Sequence, residues 1–360
     1  MAKENIQLSF AEKWGVFWVF GALHPAFSLG YTVLRQLLFP PNDSPGLGRS
    51  IATTFLKAVS SLSMRQTNGV LPTSSTSKVV EKYCVQNKLK HEFDALPHDA
   101  KLHWIGLRPA KGGNVILYFY GGGYNIAADP NHIVFGSKCA SKANATLAIL
   151  EYTLAPTAHF PTQLIQATEG LKHILTITSP SKVIIAGDSA GAHLTLSLLS
   201  HIIHPSRDIE PFLLSESLRG VCAMCPIVSF NYGRNRSYEY NADRDYLSLR
   251  KMKEMMENFK PPGLTDEEAL KDPRLSPLDA PKGWWENCPV ERIMLTMGEW
   301  EVFLDDCKLF GKRLEDEAAP KTKIELVLGR KEVHGACIMD TFLGLEDGDS
   351  TKAVFAWMGN

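Results

Sequence analysis

The stretch Val183-Ile-Ile-Ala-Gly-Asp-Ser-Ala-Gly191 decides how this chain of 360 residues is expected to fold. Its first four residues are apolar and mostly β-branched, which is typical of a buried strand with both faces covered. The Gly-x-Ser-x-Gly pattern that follows places Ser189 on a sharp turn between this strand and a helix. The two glycines let the strand and the helix approach closely, so the serine hydroxyl would be exposed at the end of the sheet. We therefore predict that Ser189 is a catalytic nucleophile.

Strand and helix patterns alternate along the chain on both sides of this turn. Short apolar runs predict strands at 79–85, 103–107, 115–120, 146–152, 183–186, 221–225, 293–297 and 324–328. Between them, apolar residues recur at three- and four-residue spacing and predict helices, for example at Leu164, Ala167, Leu171 and Ile174. This alternation is typical of an α/β fold in which helices cover both faces of a mostly parallel central sheet.

A second glycine cluster, Tyr120-Gly-Gly-Gly-Tyr124, follows the predicted strand at 115–120. Glycines leave backbone N–H groups unshielded, and a developing oxyanion needs such donors. The cluster lies one strand–helix unit before Ser189, which favours a role beside the nucleophile. A flexible loop without a chemical role is the alternative.

The order of these motifs resembles the hormone-sensitive-lipase-like branch of the α/β-hydrolase superfamily. In that family a His-Gly-Gly-Gly loop precedes a Gly-Asp-Ser-Ala-Gly turn. Residues 152–161 resemble its Tyr-Arg-Leu-Ala-Pro segment and downstream Phe-Pro, and residues 272–277 resemble the segment that leads from the cap back into the core. The resemblance covers roughly residues 79–345 and implies the α/β-hydrolase fold and serine-dependent ester hydrolysis, with no metal and no organic cofactor.

The resemblance also assigns an oxyanion hole. It implies that the N–H groups of Gly122, Gly123 and Ala190 hold the negative oxygen of the tetrahedral intermediate. Tyr120 stands where the family has histidine. This difference leaves the shape of the glycine loop and the size of the acyl pocket open, although it removes none of the backbone donors.

Two catalytic partners of Ser189 are expected later in the chain, because α/β hydrolases order the triad as serine, acid and histidine. His334 follows the predicted strand at 324–328 and is our candidate for the general base. Matching the acid loop of the family puts Glu301 in the triad and Asp305 at the start of the next helix. Asp305 and Glu299 are kept as alternatives for the acid.

The remaining segments are expected to select the substrate. Residues 229–284 interrupt the strand–helix alternation, and residues 1–78 are rich in aromatic side chains. We assign the hydrolase core to 79–228 and 285–360, and a helical cap to the other two segments. An aromatic-rich cap favours a small-molecule hydrophobic ester that is bulky, such as an ester of a secondary metabolite or a sterol.

Two other functions would use the same pocket. The triad could serve acyl transfer or cyclisation in a biosynthetic pathway, and nothing in the sequence separates this from hydrolysis. A non-catalytic ligand receptor is disfavoured, because the plant gibberellin receptors resemble this family but lack the catalytic histidine, whereas His334 is present here.

Residues 14–34 contain no Asp, Glu, Lys or Arg, a length that is close to that of a membrane-spanning helix. His24-Pro25 interrupts this stretch, however, and several glycines dilute its hydropathy. We consider three interpretations: helices that lie over a hydrophobic pocket, an interfacial membrane anchor formed by residues 14–39, and a true span. The first is favoured, and a cytoplasmic location or attachment to an intracellular membrane such as the endoplasmic reticulum is expected. Homodimer formation is also considered.

The charges and the cysteines argue against nucleic-acid binding, a disulfide framework and a metal or redox site. Lys plus Arg number 38 and Asp plus Glu number 39, so no basic field is available to bind nucleic acid. The seven cysteines are scattered without the spacing of a disulfide framework, which favours a reducing compartment. Cys222 and Cys225 form a CxxC pair inside a predicted strand, and we interpret them as part of the core rather than as a metal or redox site.

Overall fold

A central sheet of eight strands organises the fold. The computed structural model describes residues 8–20, 23–38, 45–70, 74–318 and 322–360. The strands, in chain order, are β1 (His91–Ala95), β2 (Lys101–Ile105), β3 (Val115–Phe119), β4 (Thr146–Glu151), β5 (Val183–Asp188), β6 (Gly220–Met224), β7 (Arg292–Gly298) and β8 (Lys323–Gly329). Their order across the sheet is β1-β2-β4-β3-β5-β6-β7-β8. The pairs β1–β2 and β2–β4 are antiparallel and the other neighbouring pairs are parallel, which confirms the predicted mostly parallel α/β sheet.

Helices flank this sheet and precede it. In chain order they are α1 (Phe10–Phe20), α2 (Leu23–Leu38), α3 (Leu47–Ser60), α4 (Met64–Val70), α5 (Thr76–Gln86), α6 (Pro130–Lys142), α7 (Thr162–Leu175), α8 (Ala190–Ile203), α9 (Ser237–Tyr240), α10 (Leu249–Phe259), α11 (Asp266–Ala269), α12 (Leu304–Glu317), α13 (Ala336–Leu343) and α14 (Asp349–Gly359). The apolar positions that predict α7 are all buried. Every residue of β3, β5 and β6 is also buried, because helices cover both faces of the centre of the sheet.

One predicted strand is wrong, and one strand was missed. Residues 79–85 lie in α5, whose N-terminus is capped by Ser75 accepting a hydrogen bond from the N–H of Lys78. Val80 and Cys84, four residues apart, lie on the buried face of this helix, so the apolar run has helical and not alternating burial. The missed strand, β1, carries few apolar residues, and its pairing with β2 places it at the edge of the sheet.

The register of the central strands brings the two glycine motifs together. Phe119, the last residue of β3, pairs with Gly187 near the end of β5. Because both strands run in the same direction, the loops that follow them emerge side by side at the same edge of the sheet. The glycine loop at 120–124 therefore lies next to Ser189.

The two segments assigned to the cap contact each other. In α10, the ammonium group of Lys251 donates hydrogen bonds to the carbonyl oxygen of Leu62 and to the hydroxyl of Thr67, each at 2.9 Å. The N–H of Met64 donates to the carboxylate of Glu254 at 2.8 Å. The segment at 229–284 is therefore joined to the N-terminal helices through α10 and α4.

The 14–34 stretch is divided between α1 and α2. Within the described ranges, no helix combines the length and the apolar character that are needed to cross a membrane. Phe39, at the end of the predicted anchor, lies outside the described residues. All seven cysteines are free and buried.

Candidate active site

Ser189 lies at the turn between β5 and α8 and has a backbone conformation that is unusual for a residue other than glycine. Its φ and ψ angles are 52° and −118°, and its N–H donates a hydrogen bond to the carbonyl oxygen of Met224 at 2.9 Å. Such a conformation costs on the order of 1–3 kcal/mol and persists only where the surroundings enforce it. A Cβ atom at Gly191 would lie 1.9 Å from the carbonyl oxygen of Phe119. The close approach of strand and helix thus requires glycine at this position.

His334 is in contact with the serine. Its Nε2 lies 2.8 Å from the Oγ atom of Ser189, a distance that suits a hydrogen bond from the hydroxyl to the ring. The imidazole is buried in the loop between β8 and α13, and Gly335 follows it in the left-handed conformation with φ 63°. In the tautomer that this contact requires, Nδ1 carries the proton.

Glu301 is the acid that the fold brings to His334. Its Oε2 lies 3.4 Å from Nδ1 of His334, and the Glu301 side chain is fully buried. Burial opposes the charge on His334, but the hydrogen bond and the charge of Glu301 outweigh this effect, and the pKa of His334 is raised above its usual value. The structure thus brings Ser189, His334 and Glu301 into one chain of contacts.

The two alternative acids have other partners. Glu299 accepts a hydrogen bond from the N–H of Lys331 at 2.8 Å. Asp305 accepts hydrogen bonds from the N–H of Ser237 at 2.9 Å and from the hydroxyl of Tyr240 at 2.9 Å. The structure places neither of them on the histidine.

Three unused N–H groups lie around the serine. Gly122 and Gly123 have φ angles of 116° and 57°, which favour glycine. Within the described ranges, no residue accepts a hydrogen bond from the N–H of Gly122, Gly123 or Ala190. Ala190 is the first residue of α8, where the helix dipole also favours negative charge. These three predicted oxyanion donors are therefore not used by other residues of the described ranges.

Asp188, directly before Ser189, holds the start of the glycine loop. Its carboxylate accepts hydrogen bonds from the hydroxyl of Tyr118 at 2.7 Å and from the N–H of Gly121 at 3.1 Å, and it lies 3.5 Å from Nε2 of His132. Burial opposes the charge on His132, but the charges of Asp188 and Asp129 outweigh it and raise the pKa of His132 well above its usual value. Sequence reasoning missed this buried ion pair, although Asp188 is part of the Gly-x-Ser-x-Gly motif.

The ring of Tyr120, which replaces the family histidine, points toward α5. Its hydroxyl is hydrogen-bonded to the hydroxyl of Thr76 at 3.1 Å, and its ring stacks on Tyr152 with the ring centroids 4.5 Å apart. The hydroxyl of Tyr152 donates in turn to the carbonyl oxygen of Tyr120 at 2.8 Å. Stacking and backbone contacts thus hold this end of the glycine loop in place of a histidine side chain.

Apolar side chains from the inserted segment and from residues 299–303, the acid loop, lie next to the candidate catalytic groups. A Cβ atom at Gly123 would lie 2.7 Å from the terminal methyl group of Met255, so this α10 side chain packs on the glycine loop. The rings of Phe303 and Tyr246 lie 5.1 and 6.2 Å from the His334 ring, measured between centroids. A separate cavity of about 970 Å³ lies beside α5 and is lined by Tyr120, but not by the catalytic groups.

One buried cluster has residue types that bind metals. The ligand atoms of Cys225, Glu301 and His334 lie within 4.8 Å of one another, and Cys225 accepts a hydrogen bond from the N–H of Gly335 at 3.3 Å. Burial, together with the nearby carboxylates of Glu301 and Asp188, raises the pKa of the Cys225 thiol well above its usual value. Within this cluster Glu301 contacts His334, and the N–H of Gly335 donates to the thiol of Cys225.

Comparison with known proteins places this site in a family. A family model described as the alpha/beta hydrolase fold matches residues 116–338, which include Ser189, Glu301, His334 and the glycine loop. The chain belongs to this α/β-hydrolase family. The resemblance and the fold expected from the sequence motifs are thereby confirmed.

Individual relatives of this α/β hydrolase are distant. An esterase of Acinetobacter venetianus is 26% identical over 224 residues, which cover 61% of this chain and 67% of that protein. A protein of Acanthamoeba polyphaga mimivirus, named as an alpha/beta hydrolase, is 26% identical over 222 residues, and the chain spans 59% of its length. The crystal structure of a thermostable esterase from Pseudomonas putida superposes with a TM-score of 0.65 at 19% identity, covering 88% of this chain and 97% of that one. At this identity, the structural likeness concerns the fold.

Proposed function

We propose that the protein is a serine carboxylester hydrolase. The observation that carries this proposal is the hydrogen bond of 2.8 Å between Nε2 of His334 and Oγ of Ser189, at a turn with unused N–H donors beside it. A base in contact with a strained, accessible hydroxyl is the arrangement that activates a serine nucleophile. The presence of this base also argues against a non-catalytic receptor.

The proposed reaction proceeds through an acyl-enzyme. His334 takes the proton of Ser189 as Oγ attacks the ester carbonyl, and the N–H groups of Gly122, Gly123 and Ala190 bind the resulting oxyanion. Glu301 stabilises the imidazolium that forms. Collapse of the intermediate expels the alcohol, which takes the proton back from His334. A water molecule activated by His334 then attacks the acyl-enzyme and releases the acid.

Labelling with a fluorophosphonate tests the nucleophile. We expect one label per chain on the wild type and none on Ser189→Ala, while Ser215→Ala, which changes an exposed serine, is labelled normally. A label that persists in Ser189→Ala would reject the proposal. Turnover in ¹⁸O-water separates hydrolysis from the alternative of acyl transfer or cyclisation, because only hydrolysis puts ¹⁸O into the acid product.

For the substrate we propose a hydrophobic, bulky ester. The support is the apolar surface around the serine, to which the cap contributes Met255 and Tyr246 and the acid loop contributes Phe303. A panel of esters that varies acyl length and alcohol bulk tests this, and a clear preference for short, water-soluble esters would contradict it. Residues 1–40 enter the test through truncation, which should change the selectivity if the N-terminal helices belong to the cap.

We further propose peripheral membrane contact through α1 and α2. Phe10, Trp14, Phe17 and Trp18 recur at helical spacing along one side of α1, and all four are more than half exposed. The other side of this helix is held by α4, since the amide of Gln66 donates to the carbonyl oxygen of Glu12 at 3.0 Å. Exposed aromatic side chains on a surface helix are typical of interfacial binding.

Sedimentation with phosphatidylcholine vesicles tests this contact. We expect the wild type to pellet with the vesicles and the triple variant Trp14→Ala, Phe17→Ala, Trp18→Ala to stay in solution. Leu213→Ala, at an apolar residue exposed elsewhere, is the matched control and should behave like the wild type. Equal pelleting of the triple variant would reject the contact. If the wild type is a dimer in the absence of lipid and the triple variant is a monomer, the surface belongs to a homodimer interface instead.

A further inference from the structure

Polar side chains of the inserted segment, residues 229–284, hold the loop that carries the catalytic acid. We call residues 299–303 the acid loop. The amide of Asn241 donates hydrogen bonds to the carbonyl oxygens of Glu299 at 3.1 Å and Glu301 at 2.9 Å. The hydroxyl of Ser237 donates to the carbonyl oxygen of Val302 at 2.8 Å. The backbone of the acid loop is therefore held from the inserted segment as well as from β7.

Asp245, in the same segment, extends this hold to the histidine. Its Oδ2 accepts a hydrogen bond from the N–H of Val302 at 2.9 Å. Its Oδ1 accepts from the N–H of Tyr246 at 2.8 Å and faces the N–H of His334 at 3.4 Å. One carboxylate thus connects the acid loop with the residue that contacts the nucleophile.

Burial of the Asp245 carboxylate lowers the stability of the folded protein. Asp245 is fully buried, and it forms no salt bridge with a lysine or arginine in the described part of the chain. A buried charge that only backbone N–H groups and a histidine compensate lowers stability compared with an apolar side chain of the same volume. The contacts of this buried carboxylate with Val302 and His334 place its charge beside the candidate catalytic groups.

We propose that Asp245 is a positioning residue, which keeps the acid loop and His334 in register and supplies a second negative charge near the imidazolium formed during attack. The proposal rests on the proposed function of Ser189 and His334. Because Asp245 belongs to the inserted segment, the catalytic groups are fully ordered only when this segment is docked on the core. The cap therefore acts on the chemistry as well as on substrate choice.

The charge of Asp245 makes the proposal measurable. Burial raises the pKa of Asp245 to about 6, although the nearby His334 and the backbone N–H groups oppose this rise. The carboxylate is therefore ionised at neutral pH, where its charge favours the protonated form of His334. Removing that charge should lower the pKa of His334. The other titratable groups around His334 are Glu301, Asp188, Cys225 and Tyr246.

Three variants of the inserted segment separate the effect of the Asp245 charge from that of the hydrogen bonds to the acid loop. In Asp245→Asn we expect kcat to fall about tenfold, as for the loss of one charge-assisted contact, with KM little changed. The acid limb of its kcat/KM profile should move to lower pH. In Asn241→Ala, kcat should fall while the acid limb stays in place, since no charge is removed. Asp243→Asn, at an exposed carboxylate two residues away, should match the wild type in every respect.

The opposite results would overturn the proposal. If the acid limb of the kcat/KM profile of Asp245→Asn lies at the same pH as in the wild type, Asp245 has only a structural role. A raised KM with unchanged kcat would lead to the same conclusion. If Asp245→Asn does not fold by circular dichroism, the rate of fluorophosphonate labelling in Asn241→Ala decides, and a wild-type rate would reject the role of the inserted segment.

A readout that does not need turnover separates this proposal from the proposed function. The His334 ring can be titrated by NMR, with its signal assigned by His334→Gln, and we expect a lower pKa in Asp245→Asn than in the wild type. A wild type that neither reacts with a fluorophosphonate nor cleaves any ester would refute the proposed function. An unchanged titration of His334 in Asp245→Asn would refute the effect of Asp245 alone.

Discussion

The two halves of the candidate active site are held in different ways. Ser189 and the glycine loop depend on backbone geometry, because glycines permit a strand and a helix of the core to approach within contact distance. Glu301 and His334 instead depend on side chains of the inserted segment, which bind the backbone of both loops. The turn at Ser189 is thus shaped by the core, whereas the loops of Glu301 and His334 are also held by the inserted segment.

The largest effect should come from the acid itself. Glu301→Gln keeps the shape of the side chain but removes the charge that orients and stabilises the imidazolium, so kcat should fall by about 10⁴-fold. Steady-state kinetics with an activated ester measures this. Glu299→Gln is the matched control, as its carboxylate lies on the N–H of Lys331 and not on His334. An active Glu301→Gln together with an inactive Asp305→Asn would move the acid to Asp305.

In the glycine loop, one added methyl group should lower kcat nearly as strongly. In Gly122→Ala the new Cβ would lie 2.7 Å from the carbonyl oxygen of Ile126, at a φ of 116°. The loop must shift to accept it, and we expect kcat to fall by about 10²–10³-fold through loss of an oxyanion donor. Gly233→Ala, where no atom lies within 4 Å of the new Cβ, should leave kcat unchanged. Wild-type turnover by Gly122→Ala would remove this loop from the oxyanion hole.

The pH profile should show the charged surroundings of the base. Because the pKa of His334 is raised, the ring stays protonated to a higher pH than an ordinary histidine and cannot accept the serine proton there. We expect kcat/KM to fall about tenfold per pH unit below a midpoint that lies above the ordinary histidine pKa of about 6.5. Activity measured from pH 5 to 9 checks this. A midpoint below that value would mean that burial outweighs the charges of Glu301 and Asp245.

The smallest effect is expected from a single contact of the inserted segment. The buried hydroxyl of Ser237 donates to the carbonyl oxygen of Val302 and accepts from the N–H of Asp305 at 3.2 Å. Ser237→Ala removes both bonds and should lower the free energy of unfolding by about 1–2 kcal/mol. Urea denaturation measures the change, with Ser215→Ala as the exposed control. An unchanged free energy of unfolding would mean that this contact does not help to hold the acid loop.

Local patterns and the family resemblance together pointed to the core of the site. The Gly-x-Ser-x-Gly turn carries its own geometric requirement, and the triad order of α/β hydrolases led to His334. The resemblance favoured Glu301 but left Asp305 and Glu299 open, and the structure places Glu301 in contact with His334. The same kind of reasoning failed at 79–85, where a short apolar run was interpreted as a strand. Ser75 at the N-cap and the four-residue spacing of Val80 and Cys84 were the signals for a helix there.

Other features became visible only in three dimensions. No local pattern connects Asp245 with Val302 and His334, which are 57 and 89 residues away along the chain. The orientation of Tyr120 likewise depends on Thr76 and Tyr152, from two other parts of the fold. Such contacts join side chains that are distant in sequence, and each needs the packing of whole elements to exist.

The sequence by itself determined the α/β alternation and the glycine-flanked turn at Ser189, because strand burial and tight turns are local requirements on residue type. The candidate base, His334, followed from its position in the chain and the triad order of the family. The tertiary structure alone decided which acid reaches His334, which way Tyr120 points, and that the carboxylate of Asp245 lies behind the catalytic loops. These depend on how the inserted segment packs on the core, and packing is a property of the whole chain.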